Sequence, residues 1–318
     1  MEVEDIPVRK RLMNLGAIAL ALFCVATTRP VQGMDCCGIN GDLSVGAHAL
    51  YWKPSHCAYE YARTTPGQGN PSIISVSDIK ADYDWGFRVL AGYECGCFYS
   101  QVSYQWLQTN DSAQADQAEA IGLSRGNNQV RGRLFYEYQN VDVRAGQYLH
   151  HGAGCHFGVF GNVRWVDLKR NNRVVGLTDE GSSSWAQKAR FDGAGLGVGT
   201  SGSFCLWQGL SGFGEFNLMG IIGDRETPSS ETISAAGEVS TIRFHSNTCV
   251  IPAMDFRVGL GYKFCTCWAT VDITVGYEMN YYWNALEYES PTGTTTTGVR
   301  ECFDVGFAGP YIGGRVTF

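Results

Sequence analysis

The sequence predicts an all-β fold, a transmembrane antiparallel up-and-down barrel of about ten strands, with eight to twelve admissible. Three observations predict it. Apolar residues alternate with polar ones over long segments, aromatic residues gather at the segment ends, and the connections alternate between short and long. Composition agrees: 17% of the 318 residues are charged, 13% are aromatic and 40 are glycine. A soluble domain carries about 25% charged residues and about 7% glycine, so the chain is short of charge and rich in small residues. The formal net charge of −7 argues against nucleic acid as a partner. No charged linker or short-period repeat divides the chain, so 34–318 reads as a single barrel domain.

Period-two alternation is clearest in 267–286. Ala269, Val271, Ile273, Val275, Tyr277, Met279, Tyr281, Trp283 and Ala285 form one face, against Thr270, Asp272, Thr274, Gly276, Glu278, Asn280 and Asn284 on the other. In 249–264, Val250, Met254, Phe256, Val258, Leu260, Tyr262 and Phe264 alternate with Asp255, Arg257, Gly259, Gly261 and Lys263. The remaining segments are 42–53, 84–94, 97–108, 131–149, 155–168, 189–202, 204–223 and 309–318. Strands of this length suit a tilted crossing of a bilayer, and aromatics such as Tyr51, Trp52, Trp85, Tyr93, Trp106 and Trp165 suit its interfaces. The links Cys95-Gly96-Cys97, 150–154, Ser201-Gly202-Ser203 and Cys265-Thr266-Cys267 are short; the other five are long. Outer-membrane barrels have short periplasmic turns and long outer loops, which places both termini in the periplasm. The stretch from Ser112 to Leu123 has helical composition and is expected to be a short helix or a mobile outer loop. Gly193, Gly195, Gly197 and Gly199 alternate strictly, without a βαβ context, and read as small residues on one barrel face.

The first 33 residues read as a cleaved signal peptide. Arg9, Lys10 and Arg11 precede an apolar run from Leu12 to Ala26, too short for a membrane-spanning helix of about 20 residues. The expected location is therefore the bacterial outer membrane, with its lipid as the surrounding partner.

Placing the polar face inward puts Asp42, His48, Arg88, Gln101, Ser103, Gln105, Asp142, Arg144, Asn162, Arg164, Glu215, Asn217, Asp255, Arg257, Lys263, Asp272, Glu278, Asn280 and Arg315 in the lumen. Arg or Lys on the lipid face would cost about 2–4 kcal/mol at the midplane, which supports that orientation. Acidic and basic lumen residues balance, and a barrel of about ten strands leaves little room for water. A side-chain-filled structural or adhesin-type barrel is thus the alternative to a pore.

Twelve cysteines are many for such a chain. Cys36, Cys37, Cys95, Cys97, Cys155, Cys205, Cys265 and Cys267 fall on the expected periplasmic rim; Cys57, Cys249 and Cys302 fall near the outer ends. Disulfides are expected because the periplasm is oxidising. Cys-x-Cys lacks the two-residue spacer of zinc sites, so no metal and no cofactor is expected. A hydrolase at the outer rim is the enzymatic alternative, with His56, His245, Asp82 and Asp84 as the available groups. No nucleophile motif accompanies them, and an enzyme is not expected.

Short motifs also carry a resemblance. Gly309 to Phe318, with Ile312, Val316 and the terminal Phe318, resembles the aromatic signal read by the barrel assembly machinery. Gly41-Asp42-Leu43 with Ala49 to Pro54, Asp84 to Arg88 with Ala91-Gly92-Tyr93, Val141 to Gly146, Phe191 to Gly197, and Gly276-Tyr277-Glu278 with Tyr282-Trp283-Asn284 extend it along the chain. Through them the chain resembles the Legionella-type pore-forming major outer membrane proteins and the MOMP-like proteins of chlamydia-related bacteria. The resemblance implies porin-like passage of small hydrophilic solutes. It also implies an envelope supported by disulfides to further copies or to other cysteine-rich envelope proteins.

Overall fold

The computed structural model describes residues 41–55, 59–64, 75–120, 126–152, 155–179, 181–233, 239–242, 246–266, 268–290 and 299–318. The expected signal segment, Cys36, Cys37, Cys57, Cys267, His56 and His245 lie outside the described residues.

The strands are β1 (Asp42–Ser55), β2 (Tyr59–Thr64), β3 (Ser75–Ile79), β4 (Asp84–Cys95), β5 (Phe98–Ala120), β6 (Gly126–Gly152), β7 (Cys155–Thr178), β8 (Gly181–Trp207), β9 (Leu210–Ile233), β10 (Val239–Ile242), β11 (Asn247–Cys265), β12 (Thr270–Ser290) and β13 (Val299–Thr317). Ten of them close a ring in the order β1-β4-β5-β6-β7-β8-β9-β11-β12-β13 and back to β1. Each neighbour is antiparallel. The seam between first and last strand is held by Phe318 N–H on the Leu43 carbonyl at 2.8 Å and its reciprocal at 3.3 Å. Closure leaves the ring no unpaired edge, which a bilayer requires. The short strands β2, β3 and β10 attach to the outer ends of β5 and β9.

Each of the ten expected segments lies mainly in one ring strand, although 204–223 begins in β8 and continues in β9, and the strands run further outward than alternation suggested. The 169–188 link, expected to be long, is strand on both sides, with Thr178 paired to Gly181. The expected helix or loop at Ser112–Leu123 is β5 strand through Ala120, in unbroken register from Asn110↔Phe135 to Asp116↔Gln129. A neighbouring strand that satisfies every backbone group outweighs weak helix propensity. Residues 121–123 lie outside the described residues. The short turn expected at Ser201–Ser203 lies instead at Gln208–Gly209, because β8 and β9 stay paired to Trp207↔Leu210. Two periplasmic turns use a left-handed residue, Gly96 (φ 59°) and Gly209 (φ 79°), a conformation only glycine takes at no steric cost.

The outward face changes character along the strands. On β7, Phe157, Val159 and Val163 are exposed, Trp165 follows, and then Asp167, Lys169, Asn171 and Arg173 take the same side. Exposed Leu196 and Val198 on β8, and Phe256, Val258 and Leu260 on β11, continue the apolar belt. From Phe157 to Trp165 a strand tilted by about 40° rises roughly 20 Å, close to the band of outer-membrane barrels. The inward face changes in the opposite sense. Arg164 and Asn162 are buried at the belt, whereas Val166, Leu168 and Val174 are buried above it. The wall is therefore inside-out within the bilayer and right-side-out beyond it, with no slip in register.

The glycines of β8 lie on one face, as expected, and the structure shows that face to be the inward one, opposite exposed Leu196 and Val198. A Cβ on Gly195 would stand 2.2 Å from the Gly220 carbonyl oxygen, so β8 and β9 approach as only glycine allows.

Candidate functional site

The interior has three levels. At the periplasmic mouth a cavity of about 150 Å³ is bounded by Glu94, Gln101, Arg144, Tyr148, Glu215 and Arg315 among others. Arg315 donates to Gln101 at 2.9 Å and faces Glu94 at 3.9 Å. Asp42 and Lys263 stand exposed at this mouth, and Asp272, the direct cross-strand neighbour of Lys263, is half-buried.

Within the belt, eight charges from six strands form an alternating chain. Arg88 (β4) binds both oxygens of Glu278 (β12), and Glu278 meets Arg257 (β11) at 3.3 Å. Arg257 faces Glu215 (β9) at 3.7 Å, and Glu215 accepts from Arg144 (β6). Arg144 donates to Asp142 (β6) at 2.6 Å, Asp142 accepts from Arg164 (β7) at 2.7 Å, and Arg164 reaches Asp255 (β11) at 2.6 Å. Positive and negative groups alternate and sum to zero. All eight side chains come from the expected lumen residues, although their sequence separations reach 190 residues. His48 lies 3.1 Å from Arg88 through Nδ1, and Asn162 and Asn217 donate to Asp142 and Asp255 at 2.9 and 3.3 Å. Gln105, Ser103 and Asn280 are buried beside the chain. Such pairs contribute little net stability, but removing one partner strands a buried charge. Asn162 Oδ1, Asn217 Oδ1 and Thr274 Oγ1 are buried and find no partner among the described residues. Buried polar atoms of that kind are ordinarily satisfied by water.

Above the belt the interior is mainly apolar, with Arg170, Asn172 and Gln187 as buried polar exceptions. Trp52, Tyr138, Tyr282, Leu286, Val305 and Phe307 are each 0% exposed. The Tyr138 and Phe307 rings stack at 4.6 Å, and Trp52 and Tyr282 flank Tyr138 at 6.2 and 6.1 Å. The two tyrosine hydroxyls meet at 3.0 Å, and Arg164 reaches the Tyr282 hydroxyl at 3.5 Å, joining the plug to the charge chain. Near its outer end Arg225 donates to the Asn284 carbonyl at 2.9 Å and pairs with Glu287 at 3.0 Å. Neither the plug nor these upper polar groups was expected from sequence. The signal lay in apolar residues of opposite parity, as in Val166 and Leu168 against Phe157 and Val159.

The cysteines are placed at the two ends. Cys97, Cys155, Cys205 and Cys265 at the periplasmic turns, and Cys249 and Cys302 at the outer ends, are unpaired thiols in this structure; Cys95 lies on the same periplasmic rim and is half-buried. Cys302 Sγ accepts from Arg225 at 3.2 Å. The terminal Phe318 stacks on Trp268 at 6.0 Å, and Val316 and Ile312 share its outward parity. At the outer rim Asp82 is exposed and Asp84 half-buried.

A family model described as the Legionella pneumophila major outer membrane protein precursor matches residues 39–318. The chain belongs to this family. The family member is accordingly an outer-membrane barrel, and its apolar belt is the surface that meets lipid. Among solved structures it is similar to the outer membrane protease OmpT of Escherichia coli, at 10% identity and a TM-score of 0.44, covering 87% of this chain and 97% of that one. It is also similar to the toluene transporter TodX of P. putida (10%, TM-score 0.33, 88% and 90% covered) and a Pseudomonas aeruginosa FadL homologue (8%, 0.28, 88% and 90%). All three scores fall below 0.5, and the fold class rests on the family member's own ring of ten strands. No curated protein matches.

Proposed function

We propose that the protein is a non-enzymatic structural barrel of the outer membrane, closed to solutes in its resting state. The observation that carries this reading is the plug around Tyr138, Tyr282 and Phe307, whose rings fill the interior above the belt. The ring number supports it, since small barrels fill with side chains and wide water channels need about 16–18 strands. The carboxylates of Asp142, Glu215, Asp255 and Glu278 are each held by an arginine, an arrangement suited to packing rather than to proton transfer. Planar-bilayer recording of refolded protein tests it. The expected record is flat at every voltage, and discrete conductance steps would overturn it.

Porin-like passage of small hydrophilic solutes is the second reading, favoured by the polar cavity at the periplasmic mouth and the unpartnered atoms of Asn162, Asn217 and Thr274. On this reading the lower lumen is hydrated and the plug is the gate. Phe307→Ala then converts a silent barrel into a conducting one. Disulfide pairing through the rim cysteines is a separate proposal, supported by the exposure of Cys155, Cys205 and Cys265 at one end. A shift between reducing and non-reducing gels of isolated envelopes tests it.

A further inference from the structure

The outward face of β6, β7 and β8 carries charge directly above the lipid belt. In its lower row both basic groups are matched by carboxylates, three acids against two cations. Lys169 lies 3.3 Å from Glu137 and 3.2 Å from Asp167, and Arg190 lies 2.9 Å from Asp167 and 3.0 Å from Asp192. The row above is not so matched. Arg133 on β6 is the direct cross-strand partner of Arg173 on β7. Arg131 follows two residues along β6 on the same face, and Lys188 of β8 sits opposite Asn171. All four are exposed, and none has an acidic partner within ion-pair distance among the described residues.

Like charges directly opposed across an antiparallel pair, with Cβ atoms about 5 Å apart, are destabilising. Composition does not explain the cluster, because the chain as a whole has a net charge of −7. An anion seated between the two guanidinium groups removes the repulsion, and the planar fork of arginine matches phosphate oxygens. We propose that this face binds the phosphorylated head of an outer-leaflet glycolipid. Its position selects lipid over a soluble anion. Val163 and Trp165 on β7 and Leu196 and Val198 on β8 form the apolar wall beneath it. Acyl chains laid on that wall carry their own sugar phosphates up the same strands. Eight residues separate Trp165 from Arg173, a climb of roughly 20 Å along tilted strands and hence above the acyl layer.

The test titrates the full-length refolded protein in detergent with purified lipopolysaccharide, with the same lipid after enzymatic dephosphorylation, and with inorganic pyrophosphate. Binding is read by native mass spectrometry. The intact lipid is expected to bind, and both dephosphorylation and Arg133→Ser/Arg173→Ser weaken binding by about tenfold or more. Lys53→Ser, a basic residue on β1 across the barrel, leaves it unchanged. Arg133→Lys/Arg173→Lys, which keeps the charge and fold, recovers part of the affinity. Equal binding by the double serine variant, an equal loss in the Lys53 variant, or full displacement of lipid by pyrophosphate at equal phosphate concentration would each overturn the proposal. Heat-modifiable gel mobility verifies that every variant is folded before titration.

Discussion

Arg164→Ala is the sharpest probe of the interior. The guanidinium is 2% exposed and donates four times to carboxylates, to Asp142 at 2.9 and 2.7 Å and to Asp255 at 2.8 and 2.6 Å. Its removal affects the two carboxylates unequally. Asp142 keeps Arg144 at 2.6 Å and Asn162 at 2.9 Å, whereas Asp255 keeps only Asn217 at 3.3 Å among these contacts. Breaking a buried pair from one side costs about 3–5 kcal/mol. With a urea m-value near 2 kcal/mol/M, that lowers the unfolding midpoint by about 2 M. Adding Asp255→Asn removes the stranded charge, and coupling of such neighbours is about 0.5–3 kcal/mol. The double variant is therefore expected to be more stable than Arg164→Ala alone. Tryptophan fluorescence during urea unfolding in phospholipid vesicles measures both. A single variant that loses less than about 1 kcal/mol, or a double variant no better than the single, refutes a buried, interdependent charge chain.

Three further outcomes follow from other parts of the molecule. Phe307→Ala removes a ring that stacks on Tyr138 at 4.6 Å, and a large buried aromatic lost in this way costs about 3–5 kcal/mol in the same assay. Burial raises the pKa of Asp111, at the outer rim, above its usual value, and the neighbouring Asp84 and Asp82 add to the rise against the Asp82 N–H that Asp111 accepts. A raised carboxyl favours the protonated form on folding, so its cost is present above the folded pKa and vanishes below the unfolded value of 3.8. Asp111→Asn, which can still accept from the Asp82 N–H, is expected to stabilise the protein at neutral pH and to be neutral at pH 3; an equal gain at both pH values contradicts this. In variants that retain one cysteine each, a membrane-impermeant maleimide added to intact cells should label Cys302 and spare Cys155, Cys205 and Cys265. Labelling in the reverse pattern would invert the topology.

The ring was legible in the sequence wherever lipid faces it. Phe157, Val159 and Val163, or Phe256, Val258 and Leu260, hold one parity because their neighbours point into a polar lumen. Beyond Trp165 the apolar parity changes hands, to Val166, Leu168 and Val174 on β7, and to Trp185, Ala189 and Phe191 on β8. Following one apolar parity, the strand reads as ended, and its outer half is mistaken for loop. The lumen residues were visible as types and sides, but not as partners. Arg88 and Glu278 meet only because the ring brings β4 and β12 to face each other across the interior. The plug combines residues such as Trp52, Tyr138, Tyr282 and Phe307 from four strands, and no local spacing announces it.

The reversal at Trp165 also divides the molecule's sensitivity to its surroundings. Only the lower half exchanges an apolar exterior with acyl chains, so bilayer thickness acts on that half through mismatch. The outer half keeps its oily interior sealed behind a hydrated exterior, as a water-soluble β protein does. Thinner or thicker membranes should therefore strain the charge chain while leaving the plug at rest, so that a single set of ten strands answers to two solvents separately.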